Sequence, residues 1–227
     1  MEKKFDENDL EIAKGLSEFK QESIEQLYDT MATKYENFML DLGAPDVFAV
    51  ANCVKNLWTK EKPIEETRII DFGSGTGLVG QEMHKHGFRQ IIGLDASKGM
   101  IIEAQKKNCY TTIQYLFLGK PETFPAQYHG AFNFVTANAI LAEGHLGNEV
   151  FDEMLLSLKV GGHAVFTTRD EYLTKYGYGP YIERLVTDGK WEKVYDESFK
   201  KYDNIKDGET VGRYAPSLTR IFAYRKL

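Results

Sequence analysis

The sequence is poor in cysteine, has no excess of basic residues and contains no long hydrophobic run. Its two cysteines, Cys53 and Cys109, form neither a disulfide framework nor a metal-ligand spacing, so we predict reduced thiols and no metal site. No stretch approaches the ~18 apolar residues of a membrane-spanning helix. Residues 1–9 are charged and lack the apolar core of a secretory signal. These absences predict a cytoplasmic protein with no membrane partner.

Acidic residues outnumber basic ones by 34 to 28, which gives a net charge of −6 at pH 7. An acidic surface repels phosphate backbones, so a nucleic-acid partner is not expected. Two lysine pairs, Lys106–Lys107 and Lys200–Lys201, are interpreted as solvated surface rather than as a binding patch.

Hydrophobic periodicity separates a helical beginning from a longer part in which strands alternate with helices. Apolar residues recur at three- and four-residue steps through residues 24–39, which predicts an amphipathic helix. Later helices are predicted at 46–60, 78–86, 97–108, 149–159 and 181–188. Strands are predicted at 68–72, 90–95, 113–118, 132–137, 163–168, 191–202 and 218–224.

This alternation is typical of parallel β-α-β units wound into one sheet. The last two strands have little helix between them and suggest an antiparallel hairpin at the sheet edge. We therefore predict an α/β fold that is Rossmann-like, with a doubly wound, mostly parallel seven-stranded sheet. Residues 1–45 would form an N-terminal helical lid, and residues 46–227 the main domain.

A glycine-rich loop follows the first predicted strand. Glycines allow a ligand to approach the backbone, and the helix behind them presents free N–H groups. A phosphate-binding P-loop would need a lysine after Gly77, where this chain has Leu78. A dinucleotide fingerprint would need three glycines separated by two and then three positions, whereas Gly73, Gly75 and Gly77 are separated by two and two. The acid Asp71 at the strand end would repel a pyrophosphate and suits a cationic ligand.

A second acid, Asp95, ends the second predicted strand. In doubly wound folds an acid at this place accepts hydrogen bonds from ribose hydroxyls. Ser97 is placed to cap the next helix. Met100 lies one turn further on, where it would either cover an adenine ring or belong to the core.

The segment from 68 to 168 resembles a class I methyltransferase, whose motif I has the pattern Asp-x-Gly-x-Gly-x-Gly seen at residues 71–77. It is particularly similar to the small methyltransferase-like family of the Williams–Beuren critical region. Residues 27–36, 75–80 with 93–100, and 159–169 carry that closer similarity. The resemblance implies S-adenosylmethionine as cofactor and makes residues 46–227 a methyltransferase domain.

The resemblance also implies roles for individual residues. Asp71, Gly73 and Gly75 would hold the methionine end of the cofactor, Asp95 the ribose, and the Leu118–Gly119 segment would lie beside the adenine. Asn138 would face the cofactor and the substrate entrance. The predicted cofactor-binding residues are Tyr28, Tyr35, Asp71, Gly73, Ser74, Gly75, Thr76, Gly77, Asp95, Ala96, Ser97, Met100, Leu118, Gly119 and Asn138.

Tyr28 and Tyr35 lie seven residues apart, so a helix places both on one face. Relatives with a Tyr-x-x-x-Ala-x-x-Tyr arrangement use it as a lid over the cofactor carboxylate. Tyrosines at helical spacing also occur in ordinary cores, and the sequence leaves both interpretations open.

The acceptor side of the site has weaker signals. Glu143 and His145 follow the fourth predicted strand and are the best acid–base candidates, although both could be exposed loop residues. Tyr178 and Tyr181 follow the fifth strand, where they would either line the substrate pocket or belong to a packed surface loop. Residues 138–145, after the fourth predicted strand, do not contain the tetrapeptide Asn-Pro-Pro-Tyr, and this absence disfavours methylation of a planar base amine.

Three functions remain open from the sequence. The first is methyl transfer to an N, O or S atom of a small molecule. The second is methylation of protein or RNA together with a partner. The third is binding of the cofactor without catalysis, because binding motifs do not prove turnover. The acidic charge and the lack of an additional domain favour the first.

Overall fold

The structure is a computed structural model that describes residues 5–18, 24–60 and 62–227. The α-helices among these residues are α1 (Glu7–Glu18), α2 (Ile24–Leu42), α3 (Asp46–Leu57), α4 (Leu78–Lys85), α5 (Lys98–Lys106), α6 (Glu149–Ser157), α7 (Asp170–Lys175) and α8 (Tyr178–Thr187). Its seven strands are β1 (Arg68–Phe72), β2 (Gln90–Asp95), β3 (Thr112–Tyr115), β4 (Phe132–Leu141), β5 (Leu158–Arg169), β6 (Trp191–Lys201) and β7 (Ser217–Lys226). None of these described helices has the length and apolarity needed to cross a membrane.

All seven strands form one sheet in the order β3-β2-β1-β4-β5-β7-β6. The five strands from β3 to β5 are parallel, and β7 pairs antiparallel with both β5 and β6. The predicted seven-stranded, mostly parallel sheet with an antiparallel C-terminal edge is therefore confirmed. The strand order reverses between β1 and β4, and in open α/β sheets ligands bind at such a point, outside the carboxyl ends of the strands.

Successive residues of the central strands face opposite layers because side chains alternate along a strand. Ile69 of β1 and Val165 of β5 are buried with α3 and α4 on one face. Ile70 and Phe166, their sequence neighbours, are buried with α6 and α8 on the other face. Both faces are covered by helices, which explains why the parallel strands are almost continuously apolar.

The N-terminal helices α1 and α2 form a third cluster with the segment that joins β6 to β7. Leu16 and Phe38 are fully buried there against Tyr202 and Tyr214. Helix α2 also packs on α5, and the approach is close: a Cβ at Gly99 would lie 2.9 Å from the Asp29 backbone. The predicted helical beginning is present, although residues 1–4 and 19–23 of the expected lid lie outside the described residues.

Several predicted boundaries differ from the structure. Strand β3 stops at Tyr115, three residues early, because its neighbour β2 ends opposite it at Asp95. Strand β4 continues past Ala137 to Leu141 through a register shift, since Leu141 pairs with Thr168. Strand β5 already begins at Leu158, where the sequence predicted the end of a helix.

The expectation that both lysine pairs are solvated surface is wrong for Lys201. Its side chain is buried and its Nζ lies 2.6 Å from Asp46 Oδ2. The ion pair links the end of β6 to the start of α3. Lys200 is exposed as expected. Cys53 and Cys109 are free and buried, as the sequence predicted.

Candidate functional site

The glycine-rich loop joins the end of β1 to the start of α4, and its three glycines have positive φ values of 64°, 53° and 89°. A Cβ at Gly73 would lie 2.3 Å from Ile140 Cγ2, and a Cβ at Gly77 would lie 3.0 Å from Ala104 Cβ. A Cβ at Gly75, in contrast, would meet no heavy atom closer than 4.0 Å. Gly73 and Gly77 therefore allow close packing, whereas Gly75 keeps space open in front of the loop.

That space is a cleft of about 330 Å³ at the carboxyl ends of β1, β2 and β4. Its volume lies in the range of small-molecule sites. Ten of the predicted cofactor-binding residues line it: Tyr28, Tyr35, Gly73, Gly75, Asp95, Ala96, Ser97, Met100, Leu118 and Asn138. The cleft is also lined by His145 and by residues that the sequence did not single out: Glu25, Leu116, Phe117, Ala139, Ile140 and Leu146.

Asp95 is the charged centre of this cleft. Its Oδ2 accepts a hydrogen bond of 2.7 Å from the Gly75 N–H, and its Oδ1 accepts one of 2.8 Å from the Ser97 N–H. Burial raises the pKa of this carboxyl, and the two backbone donors oppose that rise. The carboxylate thus ties the glycine loop to the end of β2 and keeps further lone pairs for ligand hydroxyls.

Ser97 caps α5 as predicted, with its Oγ accepting a 3.1 Å hydrogen bond from Met100 N–H. The Ser97 hydroxyl also donates to Asp29 Oδ1 of α2 at 2.6 Å, and the Gly99 N–H donates to the same atom at 2.8 Å. One carboxylate oxygen therefore holds α2 against the start of α5, and α2 becomes one wall of the cleft.

Tyr28 and His145 meet across the cleft. The Tyr28 hydroxyl lies 2.8 Å from His145 Nε2, and His145 Nδ1 lies 2.8 Å from the Glu143 carbonyl oxygen. A carbonyl only accepts, so the proton of the neutral ring is assigned to Nδ1 and Tyr28 donates to Nε2. Burial lowers the pKa of His145 to about 4, which keeps the ring neutral at pH 7.

A smaller chamber of about 50 Å³ adjoins the cleft beyond the ends of β4 and β5. The cleft and the chamber share four lining residues: Tyr28, Tyr35, Ala139 and His145. Ala139 has a φ of 61°, a strained conformation for a residue with a Cβ, and its N–H donates to Thr167 Oγ1 at 3.0 Å. The remaining lining of the chamber includes the aromatic or cationic residues Arg169, Tyr172, Arg213 and Tyr214.

Comparison with known proteins agrees with this geometry. The family model described as "Methyltransferase domain" matches residues 21–207. The chain belongs to this family. Methyltransferase-like protein 27 of Homo sapiens is 32% identical over 133 residues, covering 57% of this chain and 53% of that protein. Malonyl-[acyl-carrier protein] O-methyltransferase of Legionella pneumophila is 31% identical over 106 residues, covering 46% and 37%.

The chain matches about half the length, or less, of these two curated relatives. Among solved structures, magnesium protoporphyrin IX methyltransferase from Synechocystis PCC 6803 with bound cofactor has a TM-score of 0.55 at 15% identity, covering 80% of each chain. This similarity shows the fold. The predicted methyltransferase family and its cofactor, S-adenosylmethionine, are confirmed.

The cleft of this methyltransferase fits a nucleoside-bearing cofactor. A side chain at position 75 would fill the open volume in front of the loop, and this volume faces the Asp95 carboxylate. Apolar side chains of Leu116, Phe117 and Leu118 line the cleft on the β3 side. An acid, an open backbone and an apolar wall suit a ribose, an amino-acid end and an adenine.

Asp71, which the sequence predicted to hold the methionine end of the cofactor, lies beneath the glycine-rich loop instead of in the cleft. Its side chain is 1% exposed and lies outside the lining of the cleft. Oδ1 accepts from Thr136 Oγ1 at 2.6 Å, and Oδ2 accepts from Tyr110 Oη at 2.7 Å. Burial raises the pKa of this carboxyl to about 6 despite both donors. Asp71 therefore supports the base of the glycine loop from inside the fold.

Four other predicted cofactor residues also lie outside the cleft lining: Ser74, Thr76, Gly77 and Gly119. Gly119 directly follows Leu118 of the cleft lining, and its N–H donates to Glu153 Oε2 at 2.8 Å, while the Lys120 N–H donates to Oε1 at 2.9 Å. Glu153 is 1% exposed and belongs to α6. Glu153 was not predicted, and the signal for it in the sequence is an acid on the inner face of an amphipathic helix.

Of the four residues predicted on the acceptor side, only His145 lies in the lining of the cleft and the chamber. His145 lines both cavities, but Glu143 is on the surface, where its Oε1 pairs with Lys175 Nζ at 3.1 Å. Tyr178 is buried in the core and donates to the Leu146 carbonyl at 2.7 Å. Tyr181 packs on Phe151 and donates to Asp152 Oδ2 at 2.6 Å. Both tyrosines lie on α8 and pack onto α6, outside the lining of the cleft and the chamber, which is the packed alternative that the sequence left open.

Proposed function

We propose that this protein transfers the methyl group of S-adenosylmethionine to a heteroatom of a small molecule. The observation that carries the proposal is the shared wall between the cleft and the chamber. A donor in the cleft and an acceptor in the chamber would meet beside Tyr28, Ala139 and His145. The chamber admits only a small chemical group, and the net charge of −6 disfavours RNA.

In this proposal different residues of the cleft bind different parts of the cofactor. Asp95 holds the ribose hydroxyls, the backbone at Gly73 and Gly75 holds the methionine end, and Leu118 with Met100 covers the adenine. Tyr28 and Tyr35 of α2 close the cleft from above as the lid. The cofactor supplies an electrophilic methyl group on a sulfonium, whose sulfur keeps the electron pair of the broken bond.

The protein's own contribution to the transfer is mainly positioning and exclusion of water. His145 is neutral but has a pKa of about 4, and its Nε2 already accepts from Tyr28. Such an imidazole is a weak base at pH 7. The site therefore favours an acceptor whose nucleophilic atom arrives deprotonated, and shape dominates over base catalysis.

The names of the relatives leave the size of the acceptor open. One acts on a malonyl group carried by a protein, and another on a magnesium porphyrin. A carrier-bound acyl group is the second candidate acceptor, since only its small end would need to enter the chamber.

Calorimetry with S-adenosylhomocysteine, followed by a screen with tritiated S-adenosylmethionine, tests the proposal. The screen compares separated pools of metabolites, proteins and RNA. We expect micromolar binding and label in the metabolite pool. Label only in protein or RNA would refute the small-molecule acceptor, and binding without any label would favour a non-catalytic cofactor-binding protein.

A further inference from the structure

The chamber concentrates positive charge in an otherwise acidic chain. Three cations line it: Arg169 at the end of β5, Lys201 at the end of β6 and Arg213 between β6 and β7. The described residues that line the chamber include no Asp or Glu. This local excess is opposite in sign to the net charge of the whole chain, which is −6.

Lys201 does not contribute to that excess, because Asp46 neutralises it at 2.6 Å behind the chamber wall. Arg169 has a weaker partner: its Nη1 lies 3.4 Å from Glu171, whose side chain is 63% exposed to solvent. The side chain of Arg169 itself is 17% exposed. Because water screens an ion pair with so exposed a partner, Glu171 compensates little of the Arg169 charge, which stays available to a ligand.

Both guanidinium groups approach Tyr172. Burial raises the pKa of the Tyr172 hydroxyl, and the charges of Arg169 and Arg213 both oppose that rise. The guanidinium carbon of Arg169 lies 5.3 Å from the centre of the Tyr172 ring. Two half-buried cations thus lie around one aromatic side chain, and an anion between them would lower their mutual repulsion.

The fold holds these cations in place before any ligand binds. The Arg213 N–H donates to Ser17 Oγ of α1 at 2.8 Å. A Cβ at the neighbouring Gly212 would lie 2.6 Å from the Ala13 carbonyl oxygen, so α1 presses directly on this loop. Arg169 stacks at 5.4 Å on the ring of Tyr202. Such preorganisation reduces the entropy lost on binding.

One buried polar atom of the chamber has no partner. The side-chain oxygen of Thr219 is without a hydrogen bond among the described residues, and the residue is 3% exposed. A buried hydroxyl without a partner costs free energy, which a ligand atom would recover.

We propose that the chamber is the anion subsite of the methyl acceptor, where Arg169 and Arg213 bind a carboxylate. This inference rests on the proposed function, because the chamber serves an acceptor only if the cleft serves the methyl donor. A planar guanidinium matches a carboxylate with two hydrogen bonds. The volume of about 50 Å³ exceeds several-fold the ~10–15 Å³ that one water needs, and it admits a carboxylate with a few carbons.

The carboxylate of the cofactor's methionine end has the same chemistry, so the experiment separates the two sources. The protein is saturated with S-adenosylhomocysteine, which fills the cofactor site. Acetate, malonate and benzoate are then added at constant ionic strength, each beside its uncharged amide: acetamide, malonamide and benzamide. Binding is followed by the shift in Tm and by ligand-observed NMR.

We expect the carboxylates to raise Tm and the amides to leave it unchanged. Arg169→Gln and Arg213→Gln should abolish that rise while changing the Kd for S-adenosylhomocysteine less than about twofold. Arg184→Gln is the matched control, because Arg184 also stacks on a tyrosine, at 4.2 Å from the Tyr181 ring, but lies outside the chamber. If a glutamine variant fails to fold, Arg169→Lys and Arg213→Lys keep the charge and should weaken carboxylate binding.

Two results would overturn the inference alone. One is equal binding of carboxylates and amides to the saturated wild-type protein. The other is a tenfold or larger loss of S-adenosylhomocysteine affinity in either arginine variant, which would assign the arginines to the cofactor. Failure of the wild type to bind S-adenosylhomocysteine would instead overturn the proposed function, and this inference with it.

Discussion

Gly75→Ala tests the cofactor cleft with a single methyl group. Gly75 has a φ of 53°, so an alanine there adopts the left-handed conformation at a cost of about 1–2 kcal/mol in the free energy of unfolding. The added Cβ meets no protein atom closer than 4.0 Å and therefore adds no clash inside the folded chain. It occupies the space where the cofactor would approach the loop. Overpacking by one methyl costs about 1–3 kcal/mol, so we expect S-adenosylhomocysteine to bind roughly 5- to 150-fold more weakly.

Gly161→Ala is the matched control. Gly161 also has a positive φ, 78°, and a Cβ there would meet no heavy atom within 4 Å, but it lies in β5 away from the cleft. Urea denaturation should show similar losses of stability in the two variants. Calorimetry should show weaker binding only in Gly75→Ala. Equal affinity in both variants would refute the placement of the cofactor against this loop.

Three further predictions follow from the buried polar network. Asp95→Asn removes the charge that faces the cleft, and calorimetry should show S-adenosylhomocysteine binding weaker by about 1.5–3 kcal/mol, with unchanged affinity excluding a ribose contact. Burial raises the pKa of Asp71 from its ordinary value of 3.8 to about 6, so the folded form holds a proton that the unfolded chain loses between about pH 4 and pH 6. This group therefore lowers the free energy of unfolding by about 2–3 kcal/mol as pH rises through that window, and urea denaturation of Asp71→Asn should show stability rising more steeply with pH than in the wild type. A parallel pH dependence in both proteins would contradict it. Tyr28→Phe removes a hydrogen bond made only to neutral His145, so an NMR titration should show the pKa of His145 higher by about half to one unit, and an unchanged pKa would mean that the bond is not formed.

Local sequence patterns predicted most of the sheet because they act over short distances. The β-branched run before Gly73 and the alternation of strands and helices determined the order of elements, and Ser97 capped α5 as expected. The features that these patterns did not predict depend on residues that are distant in the sequence. Lys201 is buried because Asp46 lies opposite it, and periodicity around Lys201 carries no trace of that partner.

The candidate site shows the same limit. Gly75 and Asp95 were predictable because a short motif places both at the carboxyl ends of adjacent strands. The burial of Asp71 was not predictable, because the hydroxyl groups that donate to its carboxylate belong to Tyr110 and Thr136, which lie far along the chain. Arg213 comes from an irregular connection whose position depends on contacts with α1. Loops positioned by distant helices leave no periodic signal in the sequence.

The cluster formed by α1, α2 and the β6–β7 connection has a consequence for synthesis of the chain. Leu16 and Phe38 leave the ribosome before their partners Tyr202 and Tyr214, which follow roughly 170 residues later. At about 5–20 residues per second this interval is about 10 to 35 s, during which the apolar faces of the first helices lack their final cover. Helices α1 and α2 are thus made well before they can be fully buried, and a chaperone that shields nascent apolar helices should bind them during this interval.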